Sequence, residues 1–205
     1  KNIPIEQYDV LREKCQEKGI ETFCELIYGL PGESYQSFVN GVKESARSNV
    51  MVTIYPHLML HGTEGSTRQH REKHGIKTAY RVIPRYISSN NELLTLEHEE
   101  VVVETNDFPR EDFFRVRFFQ FLFYTFTSEI FLELSHALSI NGLDYVTLIE
   151  LISEDKENWT PRIKKLFNDF SQSAKDELLE NKKLEFTREE IKEARIHNKQ
   201  LNPFY

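Results

Sequence analysis

The chain has 205 residues, a hydrophobic fraction of 39% and a formal net charge of −7. This acidic balance argues against a nucleic-acid-binding protein, because phosphate binding requires a surplus of Lys and Arg on one face. No run of about 18 apolar residues occurs, so the sequence predicts no membrane span. The two cysteines, Cys15 and Cys24, fall in different predicted elements, which favours a reduced, cytoplasmic setting over a disulfide scaffold.

The first part of the chain alternates between helical and strand patterns. The patterns predict a helix over 4–18, a strand over 20–28, a helix over 34–47, a strand over 50–60 and a short exposed helix over 64–74. Because the connections are short, this order predicts an α/β fold whose parallel strands form a sheet or a (β/α) barrel.

The pattern changes after about residue 76. Residues 80–87 and 101–104 predict short strands, and the chain then becomes helical, with Asp107 and Pro109 as a helix start signal. We therefore place a domain boundary near 105, with an α/β domain over 1–105 and a mainly helical region over 106–205. Further helices are predicted near 128–139, 143–154, 161–183 and 187–199.

A phenylalanine-rich run occupies residues 113–126 of the first helix after this boundary. It is interpreted as core rather than as an aromatic ligand-binding or membrane-surface stripe, because Arg115, Arg117 and Gln120 interrupt it. The Lys- and Glu-rich stretch 175–195 is interpreted as a solvated helical face.

Two pairs of histidines are spaced four residues apart, the spacing that would place both rings on one helix face. His57 and His61 fall on a strand and its exit, where such residues lie about 13 Å apart. His70 and His74 lie in a charged stretch that is expected to face solvent. The sequence therefore predicts no metal site, although a substrate contact for His57 or His61 stays open.

The turn between the first strand and the second helix reads Gly-Leu-Pro-Gly. Gly29 and Gly32 let a flat ligand approach the backbone, and Pro31 stiffens the turn. The N–H groups that open the helix at Ser34 are expected to be unsatisfied donors, and Glu33 either caps that helix or accepts hydrogen bonds from a ligand. The alternative is a tight structural turn with a capped helix.

Three segments together resemble radical S-adenosylmethionine (radical SAM) enzymes, most closely the group with an N-terminal cobalamin-binding domain. Residues 27–34, Ile-Tyr-Gly-Leu-Pro-Gly-Glu-Ser, resemble the fifth-strand motif of that family. Residues 58–64, Leu-Met-Leu-His-Gly-Thr-Glu, resemble its sixth strand and following turn, and residues 75–83 resemble the segment after it. The resemblance covers residues 1–90.

The resemblance implies a partial (β/α) barrel in which S-adenosylmethionine lies across the carboxyl ends of the strands. It also implies that residues around Ile54 and Tyr55 pack near the adenine ring. The cofactor-binding residues that it implies are Ile27, Gly29, Leu30, Pro31, Gly32, Glu33 and Tyr55. In the complete enzyme it implies a [4Fe–4S] iron–sulfur cluster and admits cobalamin, whereas no catalytic residue is indicated.

The chain differs from the family in lacking the cysteine motif that binds the iron–sulfur cluster. The Cys-x3-Cys-x2-Cys pattern is absent, and so are the first four strands of the barrel. We therefore expect a C-terminal fragment, inactive alone, whose partners are the N-terminal half of the same polypeptide and a small-molecule substrate. Its first residue, Lys1, suits that expectation, and an exposed sheet edge would allow dimerisation.

Two broader readings stay open from the sequence. The complete protein would be an oxidoreductase or transferase, and the anaerobic magnesium-protoporphyrin ester cyclases are one type of relative. The alternative is a non-catalytic α/β-plus-helical module that binds a nucleotide-like ligand or a protein, and it predicts a closed sheet.

Overall fold

The computed structural model describes residues 5–47, 51–83 and 97–181, together with Thr187 and Glu189. The strands of this part are β1 (Phe23–Tyr28), β2 (Met51–Pro56), β3 (Lys77–Ile83) and β4 (Glu97–Glu104). Its α-helices are α1 (Ile5–Glu17), α2 (Tyr35–Arg47), α3 (Arg68–His74), α4 (Arg110–Phe126), α5 (Leu132–Ile140), α6 (Tyr145–Glu154) and α7 (Pro161–Asp176).

Strands β1 and β2 pair in parallel, joined by the crossover helix α2, as the alternating pattern predicted. Alternate side chains of β1, from Cys24 to Tyr28, turn toward the core, and Val39 and Val42 of α2 are fully buried in the same cluster. Because successive strand side chains point to opposite faces, the remaining side chains of both strands share the other face of the sheet.

The chain changes its pairing directly after β2. The His57 carbonyl accepts from the Val102 N–H at 2.9 Å, and the Met59 N–H donates to the Glu100 carbonyl at 2.8 Å. Residues 57–59 thus run antiparallel to β4, and β4 in turn pairs antiparallel with β3. The α/β class with parallel strands is confirmed by β1 and β2, but the antiparallel pairs were not foreseen and the barrel half stays a prediction.

Helix α4 contributes four buried phenylalanines to the core. Phe113, Phe118, Phe119 and Phe123 are buried, which confirms the interpretation of the phenylalanine-rich run as core. Two polar residues of the same helix close the outer edge of β2: the Tyr124 hydroxyl accepts from the Ile54 N–H at 2.8 Å and the Gln120 amide donates to the Ile54 carbonyl at 2.8 Å. These bonds satisfy backbone groups that a further strand would otherwise pair.

One hydrophobic cluster contains residues from both sides of the predicted boundary at 105, from Tyr28 in β1 to Trp159 before α7. The division into 1–105 and 106–205 stays a prediction. Helix α7 ends at Asp176, earlier than predicted, because the following segment becomes extended and Leu179 exchanges backbone hydrogen bonds with Tyr80. The helix predicted over 187–199 lies outside the described residues except at positions 187 and 189.

Across the described ranges, no helix combines the length and the apolar composition needed to cross a bilayer.

Candidate functional site

The Gly-Leu-Pro-Gly turn leaves the carboxyl end of β1 and leads into α2. Gly29 and Gly32 have φ values of +84° and +82°, a region that side chains with a Cβ rarely adopt. Gly29 is also enclosed, since a Cβ built on it would lie 3.7 Å from the Val102 carbonyl oxygen of β4. The turn therefore rests on the junction between the parallel and antiparallel pairs, where Tyr28 accepts from the His57 N–H at 2.9 Å.

Two carboxylates bind the backbone donors of this turn. The Glu33 side chain folds back and accepts from the Gly29 N–H at 3.0 Å. Burial raises the pKa of Glu33, and the N–H groups of Gly29 and Leu30 partly oppose that rise by bonding the ionised carboxylate. Asp107 reaches across from the segment before α4 and accepts from the Gly32 N–H at 3.2 Å.

The remaining N–H groups of the turn are also engaged. Glu33 donates its N–H to the Leu30 carbonyl at 3.1 Å, and Ser34 donates its N–H to the Ser37 hydroxyl at 2.9 Å. The Ser34 hydroxyl accepts from the Ser37 N–H at 3.2 Å, which is the expected N-cap bond of α2. The prediction of unsatisfied donors at this helix start is contradicted for the Ser34 amide, which is bonded within the protein, as are the Gly29, Gly32 and Glu33 amides of the turn.

Asp107 has a role that its sequence position did not reveal. As a helix start signal it was expected to cap α4, but α4 begins at Arg110 with Pro109 at the N-cap position and no side-chain cap. The Asp107 and Phe108 N–H groups instead lie 3.3 and 3.2 Å from the Thr105 hydroxyl, which holds the segment in a turn and leaves the Asp107 carboxylate for Gly32. No local pattern signals a contact across 75 residues.

The predicted adenine-side residues meet at one face of the parallel sheet. Ile27 and Tyr55 are opposite in register, and their side chains are 44% and 41% exposed on the face that turns away from α2. Leu30 is also partly exposed on the adjoining turn. Ile54, which was expected near the same ligand, is buried on the opposite face, because neighbouring strand residues alternate in direction.

His57, directly after β2, contacts the turn. Its Nδ1 lies 3.2 Å from the Gly29 carbonyl oxygen, and since a carbonyl can only accept, Nδ1 carries the proton. Burial lowers the pKa of His57, an effect that the bond to Gly29 partly opposes and nearby His70 reinforces. The neutral ring with its Nδ1 proton is thus the form that the fold favours.

This lowered pKa predicts a pH-dependent contribution to stability. As pH falls below the ordinary histidine pKa of about 6.5, the unfolded chain takes up a proton before the native state does, so the free energy of unfolding falls. His57→Asn keeps an N–H donor near the Nδ1 position without titrating. We expect urea unfolding between pH 7.5 and 5 to show a smaller loss of stability in His57→Asn than in the parent.

His136→Asn is the matched control, because His136 is exposed on α5. If His57→Asn and His136→Asn lose stability equally with falling pH, the account of His57 is contradicted.

The other histidines and the cysteines form no second centre in the described ranges. The His70 and His74 rings lie side by side on α3 with centroids 4.5 Å apart. Cys15 on α1 and Cys24 on β1 are free thiols. No group of three or more His, Cys, Asp or Glu side chains that could hold a metal ion occurs within this part of the chain.

Comparison with known proteins gives one informative similarity. No protein-family model matches the sequence. The chain is 30% identical over 149 residues to TokK, a cobalamin-dependent radical SAM methyltransferase of Streptomyces tokunonensis. The match covers 67% of this chain but 21% of TokK, so the chain spans about a fifth of the length of the curated relative it matches. This weak similarity suggests a relationship to radical SAM enzymes and does not establish an activity for this chain.

Proposed function

We propose that this chain is the C-terminal part of a radical SAM enzyme and supplies the adenine-side wall of its S-adenosylmethionine site. The observation that carries the proposal is the pairing of Ile27 with Tyr55 on an exposed sheet face, next to the Gly-Leu-Pro-Gly turn. Ligand sites of parallel α/β folds lie at the carboxyl ends of the strands, where this turn begins. The similarity to TokK supports the same assignment.

The exposed face of the sheet supports the proposal that the rest of the enzyme lies over it. Phe23 and Met51, opposite each other in register at its amino end, are 62% and 70% exposed. Together with Ile27 and Tyr55 they place large apolar side chains at both ends of one sheet face. Glu25 and Thr53 separate the two apolar pairs on this face. Apolar side chains gathered on an exposed face favour contact with another part of the enzyme or with a ligand. In this proposal residues 1–105 belong to the barrel and 106–205 form a helical region behind it.

The residues present fit the adenosyl part of S-adenosylmethionine but not the metal cofactor. Ile27, Leu30 and Tyr55 would hold the adenine by apolar contact. An iron–sulfur cluster needs three cysteines in this family, and Cys15 and Cys24 are two free thiols on separate elements. The cluster ligands, and any cobalamin site, would therefore belong to other parts of the enzyme, and this chain alone would be inactive.

The complete enzyme would use the adenosyl radical that reductive cleavage of S-adenosylmethionine supplies. Within it, the residues of this chain would bind and orient the adenosyl group. The turn would fix the backbone beside the ligand, and Ile27 and Tyr55 would exclude water from one side of it. The alternative, a non-catalytic binding module, predicts a closed sheet with no large exposed apolar face. The exposure of Phe23 and Met51 favours the enzyme proposal.

The proposal is tested on the longer protein. We expect its coding sequence to contain a Cys-x3-Cys-x2-Cys triad, and anaerobic reconstitution with iron and sulfide to give a brown protein that cleaves S-adenosylmethionine. In that protein Tyr55→Ala should raise the KM for S-adenosylmethionine about tenfold, the loss of roughly 1.4 kcal/mol of apolar contact. Liquid chromatography of the 5′-deoxyadenosine formed provides the measurement.

Leu166→Ala is the matched control, because Leu166 lies on α7 and is similarly exposed, at 48%. A colourless longer protein that leaves S-adenosylmethionine intact would refute the enzyme assignment. Equal KM values for Tyr55→Ala and Leu166→Ala would refute the placement of the adenine.

A further inference from the structure

Helix α5 leaves an apolar side exposed to solvent. Leu134, Ala137 and Ile140 follow one another at intervals of three residues, which places them along one side of the helix. All three are exposed, and Ile140 is 73% exposed. Ile130, in the turn that precedes α5, is 86% exposed, and Leu143, in the turn that follows it, is 56% exposed. We refer to these five residues as the α5 surface.

The other side of α5 already packs against the protein. Ser135 and Leu138 are half-buried, and the Ser135 hydroxyl donates to the Phe126 carbonyl at the end of α4. The centroid of the Phe131 ring, just before α5, lies 5.0 Å from that of Phe126. A surface helix normally turns its apolar side to the core and its polar side to water, whereas α5 carries apolar residues on both sides. Covering the α5 surface would remove that apolar area from water, which favours association.

The charge around this surface is of one sign. From residue 118 to residue 155 the sequence contains no Lys or Arg but six Asp or Glu. Two of these carboxylates, both on α6, form ion pairs with α2 and α4. Glu129 and Glu133 directly precede Ile130 and Leu134, are exposed, and have no ion-pair partner among the residues that the structure describes. The α5 surface is therefore both apolar and negatively charged.

This combination favours one kind of occupant. In a symmetric dimer the same patch of both copies meets, so Glu129 and Glu133 of one copy would approach those of the other and repel them. Anionic membranes and nucleic acids are repelled for the same reason. A helix that carries apolar residues at helical spacing, with Lys or Arg beside them, complements both the apolar side chains and the carboxylates.

The α5 surface is separate from the face that the proposed function assigns to the rest of the enzyme. The phenylalanines of α4 belong to the same cluster as Tyr28 and Ile54, whose side chains turn away from the face of Ile27 and Tyr55. Because α5 packs on the end of α4, it belongs to the helical layer on the opposite side of the sheet. The inference therefore does not depend on the proposed function.

We propose that the α5 surface binds a basic amphipathic helix of a separate partner protein. Apolar side chains of that helix cover Ile130, Leu134 and Ile140, and its Lys or Arg side chains pair with Glu129 and Glu133 at the rim. The apolar contacts supply most of the affinity. The charges determine which helices bind and how fast they associate.

The test uses two fluorescein-labelled helical peptides of about 14 residues. One carries Leu at helical spacing and Lys elsewhere, and the other has Glu in place of every Lys. Fluorescence polarisation with the 205-residue chain at physiological ionic strength gives each Kd. We expect the Lys peptide to bind at least tenfold more tightly than the Glu peptide, and NMR of the ¹⁵N-labelled chain to place the largest shifts at amides of α5.

Two variants of the surface and two controls make the test specific to α5. Leu134→Ser should weaken binding of the Lys peptide about fivefold or more, and Glu133→Gln about threefold. Leu166→Ser changes a similarly exposed leucine on α7, and Glu111→Gln removes an exposed charge at the opposite end of α4 from α5. Both controls should leave the Kd unchanged, and the amide spectrum of each variant reports whether it is folded.

Equal binding of the Lys and Glu peptides overturns the proposal. Equal affinities of Leu134→Ser and Leu166→Ser for the Lys peptide also overturn it, because the peptide then lies elsewhere on this acidic chain. Sedimentation of the chain alone tests for a second copy as the occupant. A dimer that dissociates in Leu134→Ser but not in Leu166→Ser shows that the chain covers this surface itself, and the proposal then fails.

Discussion

Tyr28→Ala is expected to lower the free energy of unfolding by about 3–5 kcal/mol, the cost of removing a large aromatic side chain from a close-packed core. Tyr28 is fully buried, and its ring centroid lies 5.7 Å from that of Phe38, 5.8 Å from that of Phe113 and 6.4 Å from that of Phe108. These partners come from α2, from α4 and from the segment before α4. Urea unfolding followed by circular dichroism measures the loss.

The effect should reach the candidate site, because Tyr28 immediately precedes Gly29 and its carbonyl accepts from the His57 N–H. Amide hydrogen exchange should therefore become faster at Gly29 and His57 in Tyr28→Ala. Phe23→Ala is the control on the same strand, since Phe23 is 62% exposed and its truncation should cost about 0.5 kcal/mol or less. Comparable losses in the two variants would mean that Tyr28 does not anchor the core.

Tyr28→Phe measures the contribution of the hydroxyl to stability separately from that of the aromatic ring. Burial raises the pKa of Tyr28, while the guanidinium groups of Arg117 and Arg81 oppose that rise, so the phenol faces two cations. The buried hydroxyl oxygen has no hydrogen-bond partner among the described residues, so replacing it by hydrogen should lower the free energy of unfolding by about 1 kcal/mol or less. A loss as large as that of Tyr28→Ala would place the stabilisation in the hydroxyl rather than in the ring.

The local order of elements around the site could be predicted from the sequence. The alternation of Cys24, Leu26 and Tyr28, followed by a glycine turn and an amphipathic helix, specifies a half-buried strand, a sharp turn and a helix within a short window. The short crossover then requires a parallel partner strand. Each of these inferences uses residues that are neighbours in the chain, so the local sequence pattern is sufficient to predict the strand, the turn and the helix.

The contacts that finish the site could not be predicted in this way. Residues 57–59 pair with β4 across more than 40 residues, and Asp107 meets Gly32 across 75. Such pairings depend on how helices and strands pack together, and one carboxylate before a helix reads equally well as a cap. The resemblance indicated the turn itself, but not the carboxylate that binds its second glycine.

The contacts of the polar residues within the phenylalanine-rich run could not be predicted from the local sequence pattern either. In the sequence Arg115, Arg117 and Gln120 appeared only to interrupt an apolar stripe. In the structure Arg115 stacks on Tyr35 with its guanidinium carbon 3.7 Å from the ring centroid, and Gln120 bonds the edge of β2. Long polar side chains can cover apolar surface and bond distant backbone at once, which a binary pattern does not encode.

Glu177→Ala is expected to lower the free energy of unfolding by about 3 kcal/mol, because it leaves the mostly buried Arg117 guanidinium without its carboxylate. The Arg117 Nη1 atom lies 2.8 Å from the Glu177 Oε1 atom, and only 17% of the Arg117 side chain is exposed. Burial alone would lower the pKa of Arg117, but Glu177 and Tyr28 raise it on balance, so the cation persists. The figure is at the low end of the range for broken buried pairs, since Glu177 itself is 34% exposed.

The reverse change should cost less. In Arg117→Met the Glu177 carboxylate keeps its access to water and the Arg81 guanidinium 3.9 Å away, so a loss of about 1 kcal/mol is expected. The double variant should be no less stable than Glu177→Ala alone, because the stranded cation is gone. Urea unfolding of the four proteins gives the coupling energy of the pair.

Loss of the Arg117–Glu177 ion pair should also change the dynamics of the backbone near the end of α7. The Arg117–Glu177 ion pair fastens the end of α7 to α4. Glu177 also precedes the extended segment in which Leu179 and Tyr80 exchange backbone hydrogen bonds of 2.6 and 2.7 Å, so the pair holds that segment close to its partner on β3. Hydrogen exchange at Leu179 should accelerate in Glu177→Ala but not in Glu180→Ala, whose exposed partner is Arg110. If Arg117→Met proves the more damaging single change, the contact depends on apolar packing of the arginine stem, and charge is not what fastens the end of α7 to α4.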